Sequence, residues 1–174
     1  MENLYKFQAA ANAKGEEGLG KLHKTWKKAP QPYKEDAKVV KYYVDLLLKL
    51  DDQEEAAKAI EYALGKTWHV ELVQRYGAQG IGDSARQLLV AENWLHFRPS
   101  DADLLLSLAR ISMRNQLWGK AREYYETSLK ISPSAEAYGE LGRLLKHLGE
   151  IEAAESYLKT VSYTHLTLPT MFEV

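Results

Sequence analysis

Cysteine is absent from this chain of 174 residues, and its absence excludes several chemistries at once. Without thiols the chain has no disulfide, no thiolate metal site and no cysteine nucleophile. An excess of charge of one sign is also missing, because 23 basic and 24 acidic residues leave a formal net charge of −1. No overall basic field favours a nucleic acid, and no acidic tail is present. We therefore expect no nucleic-acid partner.

Long hydrophobic runs are missing too. No stretch approaches the roughly 18 apolar residues that a membrane-spanning helix needs. The longest candidate, residues 44–50, is interrupted by Asp45 and Lys49. The N-terminus lacks the basic and apolar segments of a signal peptide. We expect one soluble globular unit, with any membrane attachment supplied by a segment outside this sequence.

Histidines are few and scattered, at positions 23, 69, 96, 147 and 165. No two of them are spaced to share one face of a helix, and the chain has neither an H-E-x-x-H motif nor a glycine-rich phosphate loop. We therefore predict no catalytic residue, no metal site and no cofactor. The competing hypothesis is a module that binds haem or porphyrin, for which His69 and His147 are the candidate axial ligands.

A pattern with a period of about 33 residues runs along the chain. It begins with a bulky residue followed by a mostly small one, at Tyr43-Val44, Tyr76-Gly77, Leu108-Ala109 and Leu141-Gly142. Thirteen residues after the first member stands an alanine in three of the four cases, at Ala56, Ala121 and Ala154, whereas the second repeat has Leu89. Such spacing is typical of helical hairpins, because the small side chains let two helices approach closely.

The period predicts an all-α protein of stacked antiparallel helix pairs, since one hairpin alone cannot bury its apolar face. We predict four repeats, at residues 37–69, 70–101, 102–134 and 135–161, and expect residues 1–36 to form a partial repeat followed by a loop at residues 29–32. Asp52, Ser84 and Ser100 open capping-box sequences and are predicted to cap helices. Residues 162–174 lose the helical period and resemble translated sequencing adaptor, so we predict a non-native or disordered tail.

One segment resembles a known family. Residues 104–121 read LLLSLARISMRNQLWGKA and, with residues 86–95 and 137–145, resemble the C-terminal region of HemY, the tetratricopeptide-repeat (TPR) protein of the proteobacterial haem-biosynthesis operon. The run RNQLWGKAR at residues 114–122 is the most specific part, and the similarity covers roughly residues 15–161. The resemblance implies a right-handed α-solenoid of TPR-type antiparallel helix pairs.

The same resemblance implies a function. HemY-like proteins carry two N-terminal membrane helices, sit on the bacterial inner membrane and are linked to protohaem IX synthesis. The chain is then expected to be a non-catalytic scaffold on the cytoplasmic side, the soluble C-terminal part of such a protein. Its expected partners are proteins or peptides, haem-pathway enzymes among them, or a second copy of the chain through apolar end faces. A generic TPR assembly factor unrelated to haem stays open as an alternative.

Stacked hairpins of this kind line a concave groove with the first helix of each pair, helix A. The register predicts a partner-binding groove lined by Lys38, Lys41, Asp45, Gln74, Asp103, Leu106, Arg110, Met113, Arg143 and Lys146. Arg110 and Arg143 are equivalent positions, and repeated guanidinium groups suit a carboxylate-rich partner. The alternative is that these arginines pair with Asp103, Glu136 or Glu140. Trp118 is predicted to pack between the two helices of its hairpin.

Overall fold

The computed structural model describes residues 2–12, 15–78 and 80–170, with side chains for 4, 6–12, 15–78 and 80–162. In this part of the chain all regular structure is α-helical, which confirms the predicted all-α class. The helices are α1 (Glu2–Ala11), α2 (Gly15–Lys28), α3 (Gln31–Glu35), α4 (Ala37–Lys49), α5 (Gln53–Lys66), α6 (Val70–Gly77), α7 (Ser84–Phe97), α8 (Ala102–Arg114), α9 (Trp118–Ile131), α10 (Ala135–His147) and α11 (Ile151–Thr170).

The chain forms two compact units, Met1–Gln87 and Leu88–Val174, called unit 1 and unit 2 below. In unit 1, α1 packs on α2 and α4 packs on α5. In unit 2, α8 packs on α9, and α10 packs on both α9 and α11. The A helices of the predicted repeats are therefore α4, α6, α8 and α10, and each is followed in the chain by its B helix.

Two segments expected to be irregular contain helical residues in the structure. The predicted loop at residues 29–32 runs into α3, where Pro32 occupies the first turn and its missing N–H leaves no helical hydrogen bond unmade. Residues 162–170 continue α11 in the structure. Helix formation is cooperative, so a helix that has already formed extends more easily than a new one starts. Residues 171–174 lie outside the described part, and a non-native origin of the tail stays a prediction.

The turns inside three hairpins close in the same way. A backbone N–H donates to the carbonyl five residues earlier, from Asp52 to Leu47 at 2.9 Å, from Leu117 to Ser112 at 3.0 Å and from Glu150 to Leu145 at 2.9 Å. The residue before each donor has a positive φ, at Asp51 (62°), Gln116 (57°) and Gly149 (80°). This pair of features is the Schellman motif, which ends a helix in a left-handed residue. It lets helix B begin after only three intervening residues.

Two helix caps can be compared with the prediction. Asp52 accepts a hydrogen bond from a backbone N–H in the first turn of α5, as predicted. Before α8 the accepting side chain is Asp101 and not Ser100, and before α7 Asp83 accepts from the N–H of Ala85. Aspartate and serine accept equally well at the N-cap. The position where the backbone leaves the helical conformation therefore decided which of two adjacent candidates was used.

The predicted close approach of the two helices in a hairpin is confirmed at Gly142. A Cβ atom built on Gly142 would lie 2.7 Å from Cγ of Leu158, so α10 and α11 touch where the glycine removes a side chain. Ala109 and Ala121 are likewise fully buried between α8 and α9. The small residues of the repeat pattern thus mark the helix contacts.

The second repeat uses a different register from the one predicted. Leu89, placed at the alanine position by counting, is 70% exposed. That position is held by Gln87, the fourth residue of α7, as Ala121 is the fourth residue of α9. Gln87 is fully buried, and its Nε2 donates to the backbone carbonyl of Tyr76 at 3.0 Å. The count failed because Gln87 follows Tyr76 by 11 residues, whereas the other repeats use thirteen.

Candidate functional site on the A-helix faces

The groove residues predicted in unit 1 lie on α4 and α6. Lys38, Lys41 and Gln74 are exposed, and Asp45 is partly buried. Asp45 accepts a hydrogen bond of 2.8 Å from Nη2 of Arg75, a residue that the sequence did not single out. The α4 face of this unit therefore presents two lysine side chains, while its carboxylate is already paired.

In unit 2, Arg110 is enclosed by carboxylates. Its Nε donates to both carboxylate oxygens of Glu140 at 3.2 and 3.0 Å, and its Nη2 donates to Glu140 at 2.7 Å and also to Glu136. The side chain of Arg110 is only 20% exposed. These hydrogen bonds raise the pKa of Arg110 although burial opposes them. The alternative reading of Arg110, pairing with neighbouring glutamates, is therefore confirmed.

Glu140 also holds a buried tyrosine. The hydroxyl of Tyr125, on α9, donates to Oε2 of Glu140 at 2.8 Å. Burial, followed by the negative charge of Glu140, raises the pKa of Tyr125 well above its usual range. One carboxylate therefore ties α8, α9 and α10 together, and its oxygens are committed inside the fold.

Arg143 differs from its equivalent Arg110. It is exposed, and it forms no ion pair with any side chain that the structure describes. Lys146, one turn later on α10, is also exposed and without a carboxylate partner in the same part of the chain. The reason is positional, since Arg110 faces the glutamates of the next A helix, whereas α10 is the last A helix described.

Leu106 does not line a groove. It is 8% exposed and belongs to the hydrophobic core of unit 2, together with Ala109 and Tyr125. Met113 packs partly buried against the same core, and Asp103 is partly buried near the start of α8. Leu106 is buried because α8 packs against its neighbours over a wider face than the repeat pattern predicts.

Ion pairs between successive hairpins form a set of which sequence reasoning named only the pair of Arg110 with Glu140. Two pairs join A helices at a separation of 30 residues, Asp45 with Arg75 and Arg110 with Glu140. Two more join B helices at a separation of 28 residues, Glu92 with Lys120 at 2.6 Å and Arg122 with Glu150 at 2.8 Å. Opposite charges spaced by slightly less than one repeat are the signal that would have found them.

Two of the B-helix carboxylates accept a tyrosine hydroxyl as well as a cation. Glu61 accepts from Tyr76 at 2.6 Å and from both terminal nitrogens of Arg86 at 2.7 and 2.6 Å. Glu92 accepts from Tyr124 at 2.9 Å and from Lys120. Burial opposes ionisation of Glu92 most, yet together the hydrogen bonds from Lys120 and Tyr124 lower its pKa. Both carboxylates connect neighbouring helices through these hydrogen bonds, and their bonding suits a structural role.

The two histidines considered as haem ligands lie in different units. His69 stands at the N-cap position of α6 without a side-chain capping bond. The ring of His147 is exposed and lies edge-on to Trp118, with centroids 5.1 Å apart. Trp118 itself packs partly buried against the unit 2 core, as expected. Among the described side chains, no group of three histidine, aspartate or glutamate residues is placed to hold a metal ion.

Two comparisons with known proteins, one of sequence and one of backbone structure, indicate the same fold. Residues 135–163 match the family model of the tetratricopeptide repeat. A structure of MamA, residues 41 to the end, from Desulfovibrio magneticus RS-1 is 17% identical with a TM-score of 0.60, covering 100% of this chain and 99% of that one. The chain has a TPR fold.

Other TPR-type structures agree with this result. The RS-1 MamA double mutant has a TM-score of 0.62 at 17% identity, covering 98% of both chains. A thermophilic TPR protein of Thermus thermophilus has a TM-score of 0.58 at 18% identity, covering 92% of this chain and 88% of that one. No curated protein matches the sequence. In the described residues, no helix of this TPR chain has the length and hydrophobicity to cross a membrane.

Proposed function

We propose that this chain is a non-catalytic protein-binding module whose A-helix face in unit 2 holds a carboxylate-bearing peptide. Stacked TPR-type hairpins present extended concave surfaces, which such proteins use for binding. The observation that carries the proposal is the contrast between Arg110, which two glutamates neutralise, and Arg143, which is exposed and unpaired among the described side chains. A guanidinium group in that state has its donors available for a carboxylate on another molecule.

The strength of such a contact sets the kind of partner. One exposed ion pair contributes up to about 1 kcal/mol, so a single carboxylate would bind too weakly to be held. Lys146 lies one turn from Arg143 and adds a second cation on α10. The proposed partner is therefore an extended segment with several acidic residues, and its affinity falls as salt screens the charges.

The finer part of the proposal concerns haem biosynthesis. The likeness of residues 104–121 to the corresponding part of HemY supports a soluble TPR region of an inner-membrane protein that holds haem-pathway enzymes on the cytoplasmic side. Its attachment to the membrane would then come from a segment outside this sequence. Co-purification with a membrane-anchored parent tests this part: recovery of haem-pathway enzymes supports it, and their absence among the recovered proteins contradicts it without touching the groove.

The groove itself is tested with a fluorescein-labelled dodecapeptide of glutamate and glycine, followed by fluorescence anisotropy. We expect Arg143→Glu to weaken binding at least fivefold and 0.5 M salt to weaken it further. Lys130→Glu is the matched control, since Lys130 is also exposed but lies on a B helix, α9. An equal loss in both variants would mean that the peptide responds only to overall charge, and the proposed site would be wrong.

A further inference from the structure

Unit 2 exposes large apolar side chains at the turns inside its hairpins. Leu117 is 42% exposed, Leu148 is 38% exposed and Ile151 is 50% exposed. Trp118, next to Leu117, is partly exposed as well. We call these four residues the turn-edge patch.

Contacts of Trp118 and of neighbouring residues bring together the three chain segments that carry the patch. The ring of Trp118 lies against that of His147, with centroids 5.1 Å apart, and Leu148 is the next residue. Nη1 of Arg122, one turn into α9, donates to both oxygens of Glu150 at 2.8 and 3.0 Å, and Ile151 follows Glu150. The start of α9, the end of α10 and the start of α11 therefore meet at one edge of unit 2.

This arrangement is held in place by the backbone. The N–H groups of Leu117 and Glu150 close the two Schellman turns, so the chain leaves α8 and α10 at fixed angles. Exposed apolar residues that stand singly are normal on a protein surface. A contiguous apolar patch rimmed by polar residues marks an interaction site, and tryptophan is enriched among the residues that dominate binding energy.

The charges around the patch indicate what it binds. Lys120 is engaged by Glu92, and the carboxylate of Glu150 is neutralised by Arg122. By contrast, Lys146 is exposed and has no carboxylate partner in the described part of the chain, and the exposed ring of His147 lies beside it. The α10 side of the rim therefore offers uncommitted positive charge.

The opposite side of the rim is different. Glu152 follows Ile151 on α11, is exposed, and has no cation partner among the described side chains. A segment that fits both sides must place its carboxylates toward α10 and keep neutral or basic residues toward α11. This asymmetry gives the bound segment a direction.

We propose that the turn-edge patch docks an amphipathic segment of another protein, with large apolar side chains against Leu117, Leu148 and Ile151 and carboxylates facing Lys146. This surface lies at the hairpin turns and shares only Lys146 with the peptide groove at Arg143. The segment's apolar side chains would cover the exposed edge of Trp118. The chain would then carry two protein-binding surfaces in one unit.

The test uses a fluorescein-labelled 16-residue amphipathic helix with leucine on its apolar face, glutamate along one flank and glutamine along the other, titrated with the full chain. We expect the double variant Leu148→Ser plus Ile151→Ser to weaken binding at least tenfold. A peptide with glutamine in place of glutamate should bind at least threefold more weakly to the unaltered chain. The double variant, the control variant below and the unaltered chain are compared by circular dichroism, so that a loss of folding is not mistaken for a loss of binding.

Ile131→Ser is the matched control, because Ile131 is 43% exposed and ends α9, whereas Leu117 and Trp118 lie at the start of that 14-residue helix. At 1.5 Å per residue the two ends of α9 are about 20 Å apart. An equal loss in the control would overturn the proposal. So would a dimer, seen by sedimentation equilibrium, that Leu148→Ser plus Ile151→Ser dissociates, since the patch would then bind a second copy. Binding of the chain to anionic phospholipid vesicles, but not to the peptide, would also overturn it.

The two surfaces are separated by a crossed measurement. Arg143→Glu should leave binding of the leucine–glutamate helix within a factor of two, while it weakens binding of the glutamate–glycine peptide. Failure of the groove experiment alone would therefore leave the turn-edge patch standing, and the reverse also holds.

Discussion

Unit 1 has a cluster of three aromatic rings within a core that is otherwise mostly aliphatic, whereas among the described residues of unit 2 the buried core has one aromatic ring, that of Tyr125. In unit 1, Trp26 stacks on Tyr43 with ring centroids 3.9 Å apart and planes 7° from parallel, and Phe7 packs against both rings. In unit 2 the core is built mainly from leucine and alanine around Tyr125. Helix pairs of one type can thus pack around different side chains. The repeat pattern predicts the packing of leucine and alanine seen in unit 2.

Two buried tyrosines, one in each unit, differ in whether their hydroxyl group has a hydrogen-bond partner. Tyr43 is fully buried, and within the described residues its hydroxyl has no hydrogen-bond partner. The hydroxyl of Tyr125 donates to Glu140. A buried polar group without a partner costs free energy, whereas a bond to a carboxylate contributes it. The hydroxyl of Tyr43 is therefore expected to lower stability, whereas the hydroxyl of Tyr125 is expected to raise it.

The largest expected effect is on the aromatic core. Trp26→Ala should lower the free energy of unfolding by about 3–5 kcal/mol, since it removes a large buried ring and leaves a cavity beside Tyr43. Urea denaturation followed by circular dichroism measures the change. Trp118→Ala is the comparison in unit 2, where a partly exposed ring should cost clearly less. Equal losses would contradict the view that unit 1 depends on its aromatic stack.

The next effect tests the small-residue contact of unit 2. Gly142→Val should cost about 3 kcal/mol, because its Cβ would meet Leu158 at 2.7 Å and neither helix can move without disturbing the core. Gly119→Ala is the control, since a Cβ at Gly119 meets nothing within 4 Å. That change should leave stability unaltered or raise it by up to about 1 kcal/mol. Thermal unfolding of both variants distinguishes a steric effect from a general intolerance of glycine replacement.

A smaller change in the free energy of unfolding is expected when Tyr125 or Tyr43 loses its hydroxyl group. Tyr125→Phe should cost about 1.5–2 kcal/mol, because it removes a hydrogen bond to a charged group. Tyr43→Phe should be neutral or slightly stabilising, because the lost hydroxyl has no partner among the described residues. Urea unfolding of the matched pair measures the difference, and a larger loss for Tyr43→Phe would show that its hydroxyl is bonded in solution.

The raised pKa of Tyr125 leads to a prediction about how stability depends on pH. Burial and Glu140 raise the pKa of Tyr125, so the folded chain keeps a proton that the unfolded chain releases near pH 10. The unfolded state then binds fewer protons, and the free energy of unfolding must fall as the pH rises above about 10. The fall should be shallower in Tyr125→Phe, and identical slopes would contradict the assignment.

The smallest effect concerns a turn. Gln116 has a φ of 57°, while the equivalent Gly149 has a φ of 80°. A left-handed conformation strains any residue with a Cβ, so Gln116→Gly should raise the free energy of unfolding by about 0.5–1 kcal/mol. Gly149→Gln is the reciprocal change and should lower it by a similar amount. Equal and unchanged melting temperatures would show that the turn stores no strain.

Counting along the repeat recovered most helices because their contacts are local. The small side chains at Ala109, Ala121 and Gly142 mark where two helices of one hairpin touch, and adjacent helices are joined by a turn of only three residues. The same counting failed at Leu89, since α6 ends one residue after Tyr76, whereas α8 continues six residues past Leu108. Gln87 therefore took the buried position. The counting also failed at Leu106, because the pattern assigns one face to a helix that is covered on more than one side.

The amino-acid sequence by itself determined the fold class, the helix pairs and the positions of close contact, because helical periodicity and small residues act over a single hairpin. Only the tertiary structure decided which charges are available to a partner. Arg110 and Arg143 occupy equivalent positions, yet one is neutralised by Glu136 and Glu140 and the other is not. That difference depends on which helix packs against each arginine, and pairings across about 30 residues arise only when the hairpins stack.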